Sequence, residues 1–171
     1  MKKYKQTIKL AITGHRDIIE TDDLRDELDK YLVDIITKNL EKKIVLLSPL
    51  ADGADRYVAD LFLEKQKEYS HLSLIVPLPF DQEQYMEDFD NDSKENFLNF
   101  LEKSDHFFEV EHTTDCGYLD VGRYVVNEAD VLLALWDGTF NGKIGGTGDI
   151  VEYARKRECD VIHFVCTREN G

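Results

Sequence analysis

Val131-Leu132-Leu133-Ala134-Leu135-Trp136 runs into Asp137-Gly138-Thr139, and the chain then passes through Gly145-Gly146-Thr147-Gly148-Asp149. The first six residues form a nearly continuous apolar run, as expected of a strand buried on both faces. The glycine-rich stretch leads into a helical segment, Asp149–Arg157, and Val161–Val165 is a further apolar strand. Strand, glycine-rich loop, helix and strand in that order call for a parallel sheet covered by helices.

The same alternation extends to the start of the chain. Ile8–Thr13 reads as a strand ending at Gly14. Thr21–Leu40 reads as a helix, with Leu24, Leu28, Leu32, Ile35 and Ile36 near helical spacing and acids in its first turn. Ile44–Leu47 is a strand, Ser48–Ala51 a turn, and Ala54–Gln66 a helix with Val58, Leu61 and Phe62 on one face. Leu72–Leu78 is a third strand, broken by Pro77 and Pro79. Gln82–Phe89 and Lys94–Lys103 read as short helices around Asp90-Asn91-Asp92-Ser93, Phe107–Val110 as a strand, and Leu119–Glu128 as a helix. The acidic stretch Asp81–Asp92 reads as a solvated surface insertion or a mobile lid. With no internal repeat and no linker, residues 1–171 make one α/β domain. Its expected form is a three-layer, Rossmann-like domain with a mainly parallel sheet of about six strands and helices on both faces.

Charge narrows the function. The net charge is −14, from 21 basic and 35 acidic side chains. That balance opposes duplex nucleic acid and anionic membrane, which are bound through clustered Lys and Arg. An anionic ligand therefore needs a local device of backbone N–H groups and a few placed arginines. Cys116, Cys159 and Cys166 show no CxxC pair, which fits a reducing, cytoplasmic setting without disulfides. The start, Met1-Lys2-Lys3-Tyr4-Lys5, is basic but has no apolar stretch of signal-peptide type behind it, and no segment reaches membrane-span length. His71, His106, His112 and His163 lack metal-ligand spacing, and no cofactor or metal is expected.

In open parallel sheets, ligands bind outside the carboxyl ends of the strands. Gly145, Gly146, Thr147, Gly148 and Asp149 let the backbone turn tightly ahead of a helix whose free N–H groups suit a phosphate, though the same residues also suit a plain surface loop. Asp137 ends the preceding strand. Asp52, Gly53, Ala54, Asp55 and Arg56 open another helix after a strand: either Asp fits a helix cap, and Gly53 gives room for a ribose or phosphate. Thr13, Gly14, His15 and Arg16 lack the GxGxxG pattern, but Gly14 allows close approach, Arg16 can grip a phosphate bidentately and His15 can donate a hydrogen bond, where a mere turn would look the same. Glu152, read as lying in the first turn behind the glycine-rich loop, can face the ligand. Arg123, on the preceding helix, can anchor a phosphate. A carboxylate near a ribose anomeric carbon stabilises oxocarbenium-like charge. A dipole-complementing acid and a surface ion pair are the plainer readings of these two residues.

Together these segments resemble the SLOG superfamily of Rossmann-like proteins, which takes in the DNA-processing protein DprA, the lonely-guy nucleoside-phosphate hydrolases and the YspA/YpsA-like proteins. Gly145-Gly146-Thr147-Gly148-Asp149-Ile150-Val151-Glu152 is similar to the hydrolase signature Gly-Gly-x-Gly-Thr-x-x-Glu, with Asp149 in place of Thr. Thr13-Gly14-His15-Arg16-Asp17 and Ala51-Asp52-Gly53-Ala54-Asp55-Arg56 are similar to the Gly-x-Arg-Asp and Gly-Ala-Asp-Arg segments of the YspA-like branch. The resemblance implies a nucleotide-derived small molecule, such as an ADP-ribose-like compound or a nucleoside phosphate, as the partner of a sensor or binding domain, and a homo-oligomer. If the hydrolase chemistry carries over, Arg123 and Glu152 are its catalytic pair in an N-glycosidic bond hydrolase or transferase. A protein-interaction module with a vestigial pocket is the remaining alternative.

Overall fold

Six apolar runs become six strands of one all-parallel sheet, and their order fixes where a ligand can sit. The structure is a computed structural model that describes Tyr4 and residues 6–170; Met1, Gly171 and the basic residues Lys2, Lys3 and Lys5 lie outside the described residues. In chain order the elements are β1 (Thr7–Gly14), α1 (Asp22–Lys38), β2 (Lys43–Leu47), α2 (Ala54–Gln66), β3 (Leu72–Leu78), α3 (Gln82–Met86), α4 (Asn91–Lys103), β4 (His106–Glu109), α5 (Gly117–Glu128), β5 (Val131–Trp136), α6 (Thr147–Lys156) and β6 (Asp160–Val165). The strand order is β4-β3-β2-β1-β5-β6, with every pairing parallel.

The pleat sends alternate residues of a strand to opposite faces. Leu10 and Ile12 of β1 pack with Leu24, Leu28, Leu32 and Ile36 of α1 and with Val58 and Phe62 of α2. Ala11 points the other way, toward Val125 of α5 and Ile150 of α6. The chain builds outward from β1 to β4, then returns through α5 to lay β5 on the free side of β1. Right-handed crossovers put helices on opposite faces before and after such a reversal, which produces the three layers. The reversal makes the gap between β1 and β5 the switch point where ligands enter open α/β sheets.

Two expectations need correction. Pro77 does not break β3; it pairs with Phe108 of β4. It ends the β2–β3 ladder instead. Ser48 donates its N–H to the Ile75 carbonyl at 3.1 Å, and the next parallel rung needs the N–H of residue 77, which proline lacks. The acidic stretch Asp81–Asp92 is not a solvated insertion. Tyr85 and Phe89 are buried and pack edge-on to each other, with Phe97 of α4 against both. Asp81 and Asp90 spend their carboxylates capping α3 and α4.

Among the described residues, no helix is long and apolar enough to cross a membrane, and no cluster of His, Cys, Asp and Glu is placed to hold a metal ion.

Candidate functional site

A cavity of about 640 Å³ lies over the carboxyl ends of β1 and β5, within the usual size of a small-ligand site. Its lining includes Thr13, Gly14, His15 and Arg16 from β1 and its loop, Asp55 from α2, and Gly145, Gly146, Thr147 and Gly148 from the glycine-rich loop and the start of α6. Three segments far apart in sequence therefore share one space.

The loops after β1 and β2 are locked together. Gly53 has φ 81°, and a Cβ there would stand 2.3 Å from the Arg16 carbonyl oxygen. Only glycine permits that approach and that backbone conformation together. The Ala54 N–H donates to the His15 carbonyl at 3.1 Å. Gly53 and Ala54 support the cavity without lining it, and Asp52 and Arg56 also stand behind it. The Arg56 guanidinium is buried against the Phe89 ring. It donates to the carbonyls of Leu50 and Ser93, to Ser93 Oγ and to Asn96 Oδ1, and pairs with Asp52 at 3.0 Å. Asp52 and Arg56 thus tie α2 to α4, and Gly53 and Ala54 tie it to the loop after β1. Neither Asp52 nor Asp55 caps α2, because the capping position is Gly53.

Asp55 does reach the cavity. One of its carboxylate oxygens accepts the Ala51 N–H at 3.2 Å. Burial pushes its carboxyl up to about 7, against the pull of that hydrogen bond and of the Arg16 and Arg56 charges. Near neutral pH it is partly protonated and so offers a hydroxyl donor as well as acceptors. Leu50, next to Ala51, is buried and carries a positive φ of 61°, an uncommon conformation for a non-glycine residue and one that gathers at functional loops.

At the switch point, His15 Nε2 lies 3.2 Å from both the Asp137 N and its Oδ1. Burial holds the imidazole below its ordinary value, and the Arg168 charge adds to this. The neutral ring thus accepts the Asp137 N–H. Asp137 Oδ1 takes the N–H and hydroxyl of Thr139, so Asp137 shapes the loop and does not line the cavity.

The glycine-rich loop starts α6 two residues earlier than its sequence suggests, at Thr147. The first intrahelical bond runs from the Ile150 N–H to the Gly146 carbonyl at 3.1 Å. The N–H groups of Thr147, Gly148 and Asp149 precede it and have no intrahelical partner. No side chain caps α6, and none caps α2 or α5, whereas Thr21, Asp81 and Asp90 cap α1, α3 and α4. The uncapped helices are those that start beside the cavity. Asp149 turns back and accepts the Gly145 N–H at 2.8 Å. It closes the loop and leaves the cavity lining to its neighbours. Gly145 is in the left-handed region (φ 75°), and a Cβ there would press to 2.9 Å from Leu119 N on α5.

Because α6 begins early, Glu152 falls in its second turn. It is half-exposed and pairs with Lys156 at 3.3 Å. Arg123 lies over the Tyr153 ring at 5.2 Å, and its Nε is buried without a partner. Neither residue lines the cavity. Trp136 is buried and donates its indole N–H to the Thr139 carbonyl, so it anchors the strand end.

Several lining residues escaped sequence reasoning: Tyr85 and Asp88 from the supposed insertion, Tyr118 from α5, Lys143 from the loop, and Arg168 and Asn170 beyond β6. The Arg16 guanidinium rests 5.0 Å from the centre of the Tyr118 ring. Arg16 joins none of the ion pairs among the described residues. Lys143 carried a hint, as the basic residue inside the glycine-rich connection, and Tyr85 carried one in its spacing from Phe89.

Comparison with known proteins places the chain in a family. A UPF0398 protein of Bacillus pumilus (strain SAFR-032) is 31% identical over 146 residues, which is 78% of this chain and 75% of that protein. The family model described as the YspA SLOG family matches residues 5–168, a span that runs from β1 through the strand order, the locked loops and the glycine-rich helix start, and the chain belongs to that family.

Proposed function

We propose that this chain binds a nucleotide or nucleotide-derived ligand, of the ADP-ribose or nucleoside-phosphate type, at the carboxyl ends of its strands, and acts as a sensor or binding domain. The observation that carries this reading is the uncapped start of α6, which opens on the same cavity as Arg16. Free amide hydrogens and the positive end of the helix favour a phosphate there. Arg16 is already poised on Tyr118 and adds a planar donor fork suited to phosphate oxygens. Asp55, partly protonated, suits a sugar hydroxyl. These groups are the local device that a chain of net charge −14 needs to attract an anion. Arg123 and Glu152 stand outside the lining, which favours holding a ligand over cleaving it with that pair.

The test is a thermal-shift screen with AMP, ADP-ribose, NAD and cyclic AMP. A ligand present at ~100 times its Kd stabilises the folded state by about 2.7 kcal/mol, or roughly 5–10 °C in a chain of this size. Arg16→Ala, at an exposed position, should keep its own melting point and lose most of that shift. No shift with any of the four compounds defeats the proposal.

A further inference from the structure

The segment after β6 folds back over the site. Ile18 and Arg168 form an antiparallel bridge. The Ile19 N–H donates to the Thr167 carbonyl at 2.9 Å, and the Glu169 N–H to the Asp17 carbonyl at 2.8 Å. The Asp17 carboxylate then takes two donors, Arg168 Nε at 2.8 Å and the Asn170 N–H at 3.2 Å. Both Arg168 and Asn170 line the cavity.

The use of Nε is informative. A guanidinium that served only to strap the tail down would present its paired donors to the carboxylate. Here the recorded bond spends Nε alone, and among the described residues neither terminal nitrogen has a protein partner. Two backbone–backbone hydrogen bonds, from the Ile19 and Glu169 N–H groups, and the Asn170 N–H bond to the Asp17 carboxylate already hold the tail without the guanidinium. The guanidinium is thus fixed at its root and free at its fork, the arrangement of a preorganised anion grip. The anion donors of the cavity also divide into two groups on separate elements. One is the start of α6 with Lys143; the other is Arg16 and Arg168, on the loops after β1 and β6.

The geometry points to Arg168 as a specificity-determining residue of this cavity, oriented by Asp17, that grips a second anionic group of the ligand while the start of α6 holds the first. This rests on the ligand reading above and adds a preference to it: a compound with two linked phosphates gains from Arg168, and a monophosphate gains little.

Isothermal titration of the full chain with ADP-ribose and with AMP tests it, using Arg168→Gln. The glutamine amide nitrogen occupies the chain position of Nε, so the hold on Asp17 is kept while the charged fork is lost. The expected result is a loss of about tenfold or more for ADP-ribose, the effect of losing one charge-assisted contact, with AMP affinity changed by less than ~3-fold and the melting point retained. Arg168→Lys restores a cation and should recover part of the ADP-ribose affinity. Asp17→Asn, which loosens the orientation, should fall between wild type and Arg168→Gln. If the unaltered chain binds ADP-ribose and Arg168→Gln binds it equally well, the inference fails and the ligand reading stands. Equal losses for both compounds also defeat it, because a strap that merely shapes the cavity would affect every ligand alike. If the unaltered chain binds neither compound, both readings fall.

Discussion

Replacing Gly53 with Ala is the sharpest test of how the loops after β1 and β2 are joined. Gly53 has φ 81° and ψ −121°, a conformation L residues essentially do not adopt, and forcing one into it costs about 1–3 kcal/mol. The added Cβ would also meet the Arg16 and His15 carbonyl oxygens at 2.3 and 2.6 Å. Both are backbone atoms, and the His15 oxygen already accepts the Ala54 N–H. Separating them breaks that bond, worth about 1 kcal/mol. The total is roughly 2–4 kcal/mol, which in a chain of 171 residues corresponds to a melting point lower by about 10 °C. Urea denaturation read by circular dichroism gives the loss directly, and an unchanged slope against urea confirms that the native state carries it. A loss below about 1 kcal/mol with that slope unchanged would mean that the two loops are not locked at this residue.

Further expectations follow from the buried groups. The Asp55 carboxyl is raised from 3.8 to about 7, so between those values the folded chain holds a proton that the unfolded chain has released. Stability from this group is therefore full below the unfolded value and is lost as pH rises through about 7; Asp55→Asn should flatten the urea midpoint between pH 5 and 7.5, and a fall as steep as that of the unaltered chain would refute the assignment. Arg56→Met removes a buried cation that serves Leu50, Ser93, Asn96 and Asp52 and should cost about 3 kcal/mol in urea unfolding; a neutral result would show that those contacts are dispensable. Glu152→Gln touches only the exposed pair with Lys156, so stability should change by less than about 0.5 kcal/mol and ligand titrations should be unaffected; lost binding would bring Glu152 back into the site.

Where sequence reading succeeded, local physics was enough. Val131–Trp136 is an uninterrupted apolar run, Leu72–Leu78 is apolar but for Ser73 and Pro77, and Ala54–Gln66 carries its apolar face at helical spacing; all three have in the structure the bounds they have in the sequence. Where it failed, the deciding contact was distant. Gly148 looks like loop, yet it is buried where a Cβ would meet Phe140 and Thr139, and α6 begins before it. The acids of Asp81–Asp92 conceal Tyr85 and Phe89, four residues apart and both turned inward. That spacing was a readable signal masked by charge. Of the three quoted motifs, the residues that meet the cavity and those that brace it could not be separated from sequence, because Gly53 and Asp149 are explained by Arg16 and Gly145 and not by a ligand. Arg168 carried no local signal; its place depends on β6 lying beside β5.

The central claim is that free amide hydrogens at the start of α6 receive an anionic group of a ligand in the cavity that Arg16 also lines. A two-dimensional amide proton–nitrogen spectrum recorded while ADP-ribose or AMP is added reads those hydrogens one by one. The expected result is a concentration-dependent shift of the Thr147, Gly148 and Asp149 amides together with Arg16, while Phe107 on the far strand stays still. Shifts confined to residues away from this cavity, or a spectrum unmoved by either compound, would contradict it.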